Sequence, residues 1–147
     1  AIIRGFTKLG MLPQAEGWLR QLQGARLNPD TRTYNQLIRG CAPDIPSASG
    51  WFEEMQLQTL EPDAVSYNSI IHCCGQAVQP KLAHRWLRAM ERSGLEPGVI
   101  AWSSLLAACA KGEDKELGEA SLREMLDRRL QLNSYTLKAV RRLFGHS

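Results

Sequence analysis

Residues 64–98 read AVSYNSIIHCCGQAVQPKLAHRWLRAMERSGLEPG. Tyr67, Ile70, Ile71 and Cys74 fall at i, i+3, i+4 and i+7, the spacing that lines one face of an α-helix. Ser66 is the expected N-cap of that helix. Gly75 to Gln79 predicts a turn, and Pro80 suits the first turn of a second helix, where its missing N–H costs nothing. Leu82, Ala83, Trp86, Leu87 and Met90 make the apolar stripe of the second helix. Gly94 ends it, and Glu96-Pro97-Gly98 is a breaker. The stretch reads helix, turn, helix, turn, and no alternating strand-like segment of useful length interrupts it.

The pattern extends in both directions. Trp18, Trp51 and Trp86 lie 33 and 35 residues apart. Leu22, Met55, Met90 and Met125 keep the same register, as do Tyr34, Tyr67 and Trp102, and Cys41, Cys74 and Cys109. Pro29, Pro62 and Pro97 follow it too, with Leu132 in the fourth place. Columns that share one register predict repeats of about 35 residues. The units are a truncated 1–30, then 31–63, 64–98 and 99–133, with 134–147 as a terminal helix or the start of another repeat. The second unit is two residues short: Ala42 to Pro46 replaces the usual helix end, and Pro43 stops the first helix early. A single helical hairpin of this size cannot bury its apolar face, whereas stacked hairpins can. The predicted fold class is therefore all-α, a short α-solenoid of two-helix repeats with a concave face.

The totals fit a folded domain and exclude several classes. Among 147 residues, 44% are hydrophobic and 22% charged, ordinary values for a globular chain. No apolar run approaches the roughly 18 residues needed to span a bilayer. A net charge of +3 and a pI of about 8.8 permit nucleic-acid binding without demanding it. Cys41, Cys73, Cys74 and Cys109 include no CxxC pair, so neither a zinc site nor a redox motif is expected. His72-Cys73-Cys74 are consecutive on a helix and point in different directions, which argues against a metal site. The tryptophan and cysteine columns read as core. The arginines of 123–129 and Arg141-Arg142 read as a solvated basic face. There is no Gly-rich phosphate loop, no deaminase signature, and no paired-carboxylate or Ser/His/Asp arrangement. The reading is a non-enzyme with no cofactor.

Tyr67-Asn68-Ser69-Ile70-Ile71 followed by Gly94-Leu95-Glu96-Pro97 resembles the pentatricopeptide repeat. So does Thr33-Tyr34-Asn35-Gln36-Leu37-Ile38, closing on Pro62-Asp63. Ala101-Trp102-Ser103-Ser104-Leu105-Leu106-Ala107-Ala108-Cys109 with Glu116-Leu117-Gly118-Glu119-Ala120 is similar to repeats late in plant-type arrays of that family. The resemblance covers nearly the whole chain. The related tetratricopeptide repeat, a protein-binding hairpin, is disfavoured because its WxxLGxxY signature is absent.

The resemblance implies an α-solenoid that binds single-stranded RNA, one base per repeat. Base choice then rests on the residue after the opening aromatic and on the last residue of the repeat. Those pairs are Asn35 with Asp63, implying uracil; Asn68 with Gly98, implying a loose pyrimidine preference because Gly98 offers no side chain; and Ser103 with Asn133, implying adenine. Asp30 would serve the first unit, but its partner would precede Ala1, which suits a segment cut from a longer array. Arg32, Val65 and Ile100 take the place from which the family stacks bases. Lys8 and Lys111 stand where it tends to contact phosphate, although the third unit has Gln76 there. The family also implies a role in RNA processing, stability, editing or translation in a mitochondrion or chloroplast, with possible protein partners in an RNA-processing complex and no membrane role. Two other readings stay open: a protein-interaction scaffold, and a structural component of a large ribonucleoprotein. Asn35, Asn68 and Ser103 are also open to a simpler reading, as first-turn residues that satisfy nearby backbone groups.

Overall fold

The computed structural model describes residues 30–145, together with Gly17, Arg20 and Gln21. Most of the first unit, including Lys8 and Trp18, lies outside the described residues. Seven helices are described: α1 (Thr31–Gly40), α2 (Ile45–Leu57), α3 (Ala64–Gln76), α4 (Pro80–Arg92), α5 (Val99–Gly112), α6 (Lys115–Asp127) and α7 (Ser134–Phe144). There is no strand among the described residues. The helices form three hairpins and a terminal helix, stacked as an all-α solenoid.

Local chemistry sets the helix ends. Asp30, Asp63 and Asn133 are the N-caps of α1, α3 and α7, each accepting from the backbone N–H three residues on. Such a cap is worth about 1 kcal/mol. Ser66 is therefore not the N-cap of α3. It sits at the third helical position and closes a capping box, accepting from the Asp63 N–H while Asp63 accepts from its own. Pro46 and Pro80 stand in the first turns of α2 and α4. Thr59, Val78, Gly94, Glu113 and Arg129 follow five successive helices with positive φ, 56° to 94°. At each, the next residue's N–H donates back to a carbonyl five positions earlier, as in Leu95 to Met90 and Gln79 to Cys74. That is the left-handed helix ending, which satisfies orphan carbonyls. α1 is the shortest helix, ended before Pro43 as its sequence predicts.

Successive first helices, α1, α3, α5 and α7, pack directly on one another. The second helices pack chiefly on the first helices of their own and the following hairpin rather than on each other. They therefore fan outward, and the first helices line the inner wall. The core between the two layers holds Tyr34, Leu37, Ile38, Trp51, Phe52, Tyr67, Ile70, Ile71, Leu105 and Leu106. Phe52 packs edge-on against Tyr67 and Trp86, with ring centroids 5.0 and 4.9 Å apart, which locks the first hairpin to the second. Cys41, Cys73, Cys74 and Cys109 are buried and unbridged. Burial pushes Cys74 and Cys109 up to about 12 and Cys73 to about 11, so these thiols behave as small hydrophobes.

The outer layer is where the sequence reading of 123–129 needs correcting. Arg123 pairs with Glu119 and is exposed, as a solvated face would be. Arg128 instead joins Arg88, Glu91 and Glu124 in an ion-pair cluster that ties α6 to α4. Arg88 grips both oxygens of Glu124 at 3.0 and 2.6 Å. Both guanidinium groups lie over the fully buried Trp102 ring, 5.9 and 5.3 Å from its centroid. A ring face attracts such cations, which is why these arginines turn inward.

Candidate nucleic-acid interface

The inner wall is built from four helices that contain no aspartate or glutamate. They carry Arg32, Arg39, Lys111, Lys138, Arg141 and Arg142, together with His72. Among the described residues, no ion pair involves a residue of these helices; the pairs present join residues of the outer layer. Glu54, Glu91, Glu119 and Glu124 of α2, α4 and α6 pair with Arg20, Arg88, Arg123 and Arg128, whereas among the described residues the cations of the inner helices join no ion pair. His72 registers this field: desolvation, then the positive charges of Arg39 and Lys111, hold its pKa below the ordinary 6.5.

The base-contact pairs named from the sequence differ in how the fold arranges them. Asn35 Nδ2 donates to Asp63 Oδ1 at 3.1 Å, so the first pair is joined directly between α1 and the start of α3. Ser66 Oγ donates to Asn35 Oδ1 at 2.5 Å, from a fully buried position. The carboxylate only accepts and the serine supplies the proton, so the amide orientation is fixed by its partners. Asn35 thus bonds across helices, which answers the first-turn alternative at this position. Burial raises the Asp63 pKa, but hydrogen bonds from Ser66 and Asn35 outweigh it and hold the carboxyl below the ordinary 3.8.

The second pair is incomplete. Gly98 caps α5 without a side chain, and Asn68 Oδ1 is buried with no partner. In the third pair, Asn133 is engaged in capping, accepting from the Thr136 N–H at 2.8 Å. Ser103 is buried, and its Oγ has no partner. Asp30 also caps, accepting from Thr33 N and Oγ1, both at 3.0 Å. The last residue of each unit therefore has a structural task as N-cap of the next helix. The sequence carried the signal, since Asp30, Asp63 and Asn133 each precede Thr or Ser by three.

The stacking positions are open to solvent. Val65 is 54% and Ile100 66% exposed, and Arg32 is exposed as well. Thirty-five residues beyond Ile100, Tyr135 continues the column and is 51% exposed. Thirty-five beyond Ser103 stands Lys138. Lys111 is exposed on α5. It meets Tyr135, Lys138 and Arg142 of α7 around a cleft of about 140 Å³ floored by alanines. Columns ended at 133 leave out these three residues of α7. Continuing the period by one step finds Tyr135 and Lys138.

Family profiles match the chain in overlapping stretches: pentatricopeptide repeat domain over 18–76, PPR repeat family over 62–111, and PPR repeat over 1–27 and 100–130. No curated protein matches the sequence. Among solved structures, the pentatricopeptide repeat protein PPR10 from maize superposes with a TM-score of 0.85 at 18% identity, over 94% of this chain and 20% of that one. PPR10 in complex with an 18-nt psaJ RNA element gives a TM-score of 0.84 at 18% identity, over 94% and 21% of the two chains. The PPR domain of Arabidopsis thaliana protein-only RNase P 1, in complex with tRNA, gives 0.81 at 14% identity over 96% and 76%. The chain spans about a fifth of the PPR10 chain. At these identities the likeness establishes the fold.

Proposed function

The chain belongs to the pentatricopeptide repeat family, and from that premise we propose that it binds single-stranded RNA along the inner wall, reading one base per complete repeat. The observation that carries this reading is the segregation of charge. The inner helices hold unpaired cations and no carboxylate, while the outer helices hold the paired charges. The six cations of these helices outnumber the two carboxylates that cap them, Asp30 and Asp63, so a polyanion in that groove meets net attraction.

The base pairs of residues then act as follows. The Asn35–Asp63 bond leaves one amide hydrogen and one carboxylate oxygen without side-chain partners, a donor and an acceptor suited to O4 and N3–H of uracil. Asn68 with Gly98 offers an amide alone and discriminates less, favouring pyrimidines. Ser103 with Asn133 favours adenine after Ser103 rotates to a rotamer that faces the groove, a small conformational cost. Val65, Ile100 and Arg32 flank the bases, and Lys8 and Lys111 meet phosphates. The read-out is uracil, pyrimidine, adenine, with the protein N-terminus at the RNA 5′ end. Family membership alone supports the setting, transcripts of a mitochondrion or chloroplast, and the roles in processing, stability, editing or translation. The chain acts as a binding module, and any chemistry on the transcript falls to other domains or partner proteins.

An unbiased RNA selection on the chain tests the proposal. Enrichment of uracil, a pyrimidine and adenine at consecutive positions is the expected result. Enrichment of another motif removes the side-chain assignments and keeps RNA binding. No enrichment, with no salt-sensitive binding to random single strands, moves the groove to the protein-scaffold reading. The log–log salt slope for RNA is about −0.7 per neutralised phosphate.

A further inference from the structure

The cleft between α5 and α7 differs from the junctions before it. At the α3–α5 junction the corresponding places hold Gln76, Ile100, Ser103 and Ala107, all uncharged. At the α5–α7 junction they hold Lys111, Tyr135, Lys138 and Arg142. Ala107, Ala110 and Ala139 floor the cleft, so a flat group can approach the helix backbones closely. Lys138 and Arg142 are one turn apart on α7 and share a face, where like charges repel. Lys111 adds a third positive charge from the opposite wall. No carboxylate lines this cleft. Glu113 lines an adjoining one that includes Arg142, but no ion pair links the two. Three converging cations without a counter-charge are held at a cost in the free protein, and an anion between them offsets it.

We propose that this cleft is a nucleotide site of a different kind from the three before it. It stacks a base on Tyr135 and grips the adjoining phosphates with Lys111, Lys138 and Arg142, without reading the base edge. The inference rests on the RNA-binding reading and extends it by one nucleotide on the 3′ side of the adenine. The chemistry separates gripping from reading. An ammonium at the place of Asn35, Asn68 and Ser103 has three donors and no acceptor, so it cannot match the mixed donor and acceptor pattern of a base edge. It is suited to phosphate oxygens. A half-exposed phenol ring offers a stacking face to any base, and stacking of this kind tolerates all four.

The test compares oligonucleotides that end at the adenine of the target with the same strands lengthened by one 3′ nucleotide, A, C, G or U, bound to the full chain across a salt series. The expected result is about tenfold tighter binding on extension, equal among the four bases within about twofold, with a salt slope steeper by roughly 0.7 for each added phosphate contact. Tyr135→Ala removes most of the gain and keeps the slope. Lys138→Ala and Arg142→Ala remove the steepening. All three side chains are exposed, so the fold tolerates their loss. An unchanged affinity on extension, or a gain that depends on the added base, overturns this proposal while the three-base reading stands. Failure to bind any single strand overturns both. Competition by polyglutamate as strong as that by the extended RNA overturns it in favour of an acidic-peptide site.

Discussion

The α1–α3 and α5–α7 junctions occupy equivalent places in the stack and are built on opposite principles. At the first, Asn35, Asp63 and Ser66 satisfy one another through hydrogen bonds, and the result is a fixed pattern of donors and acceptors that carries the single negative charge of Asp63. At the second, Lys111, Lys138 and Arg142 are unsatisfied charges around an open cleft beside Tyr135. A closed network restrains its members to one geometry, which is what discrimination between bases requires. An open cluster of charge binds whatever is anionic, at long range and with little geometric demand. On the proposed reading, one repeat architecture supports both selective and non-selective contacts, according to which side chains stand at the same few positions.

The largest expected effect that bears on this contrast is on stability. Asp63→Ala removes both the α3 cap and the partner of the buried Asn35 amide, and should cost about 2–3 kcal/mol in urea denaturation. Asn133→Ala removes a cap alone and should cost about 1 kcal/mol. Equal losses for the two variants would erase the distinction between a network and a cap.

A smaller effect follows from building the network where it is missing. A Cβ at Gly98 meets nothing within 4 Å, and the backbone there is extended, with φ of −95°. Gly98→Asp should therefore cap α5, accept from the Asn68 amide N–H while Asn68 Oδ1 stays unpaired because Ala101 stands in the place of Ser66, and stabilise the chain by about 0.5–1 kcal/mol. It should also narrow the proposed pyrimidine preference of that repeat to uracil in a binding selection. A stable variant with unchanged preference would detach the last residue of the repeat from base choice.

The smallest effect is in the pH dependence. The Asp63 carboxyl titrates below its ordinary 3.8 in the folded chain. Its contribution is present in full above that value and is lost as pH falls through the depressed one. Between pH 5 and 3 the wild type should lose more stability than Asp63→Asn, measured by denaturation at each pH. Parallel profiles would show that the hydrogen bonds to Asp63 do not favour its charged form.

Much of the molecule was legible in advance because its signals are local. The helices follow from apolar spacing, and the early end of α1 follows from Pro43. The capping role of Asp30, Asp63 and Asn133 was legible too, in the Thr or Ser three residues on, yet Ser66 was read as a cap because it immediately precedes the apolar stripe. The absence of acidic residues from the first helices was equally visible and was hidden by a net charge of only +3, which averages the two layers. The left-handed endings at Thr59, Val78 and Arg129 were not legible, since none of these residues favours positive φ and only the packing of the following segment enforces it.

The sequence by itself determined the period, from columns 33 and 35 residues apart, the helix boundaries to within about three residues, from apolar spacing along each helix, and the segregation of charge, from a simple count per helix. The tertiary structure decided which side chains meet. Asn35 reaches an aspartate 28 residues away, Arg128 leaves the solvated face to lie over Trp102, and cations from α5 and α7 converge on one cleft. Those meetings depend on the offset between stacked helices. That offset is set by the interlocking of the aromatic core and by close approaches such as Gly118 against Leu143, and no local pattern encodes it.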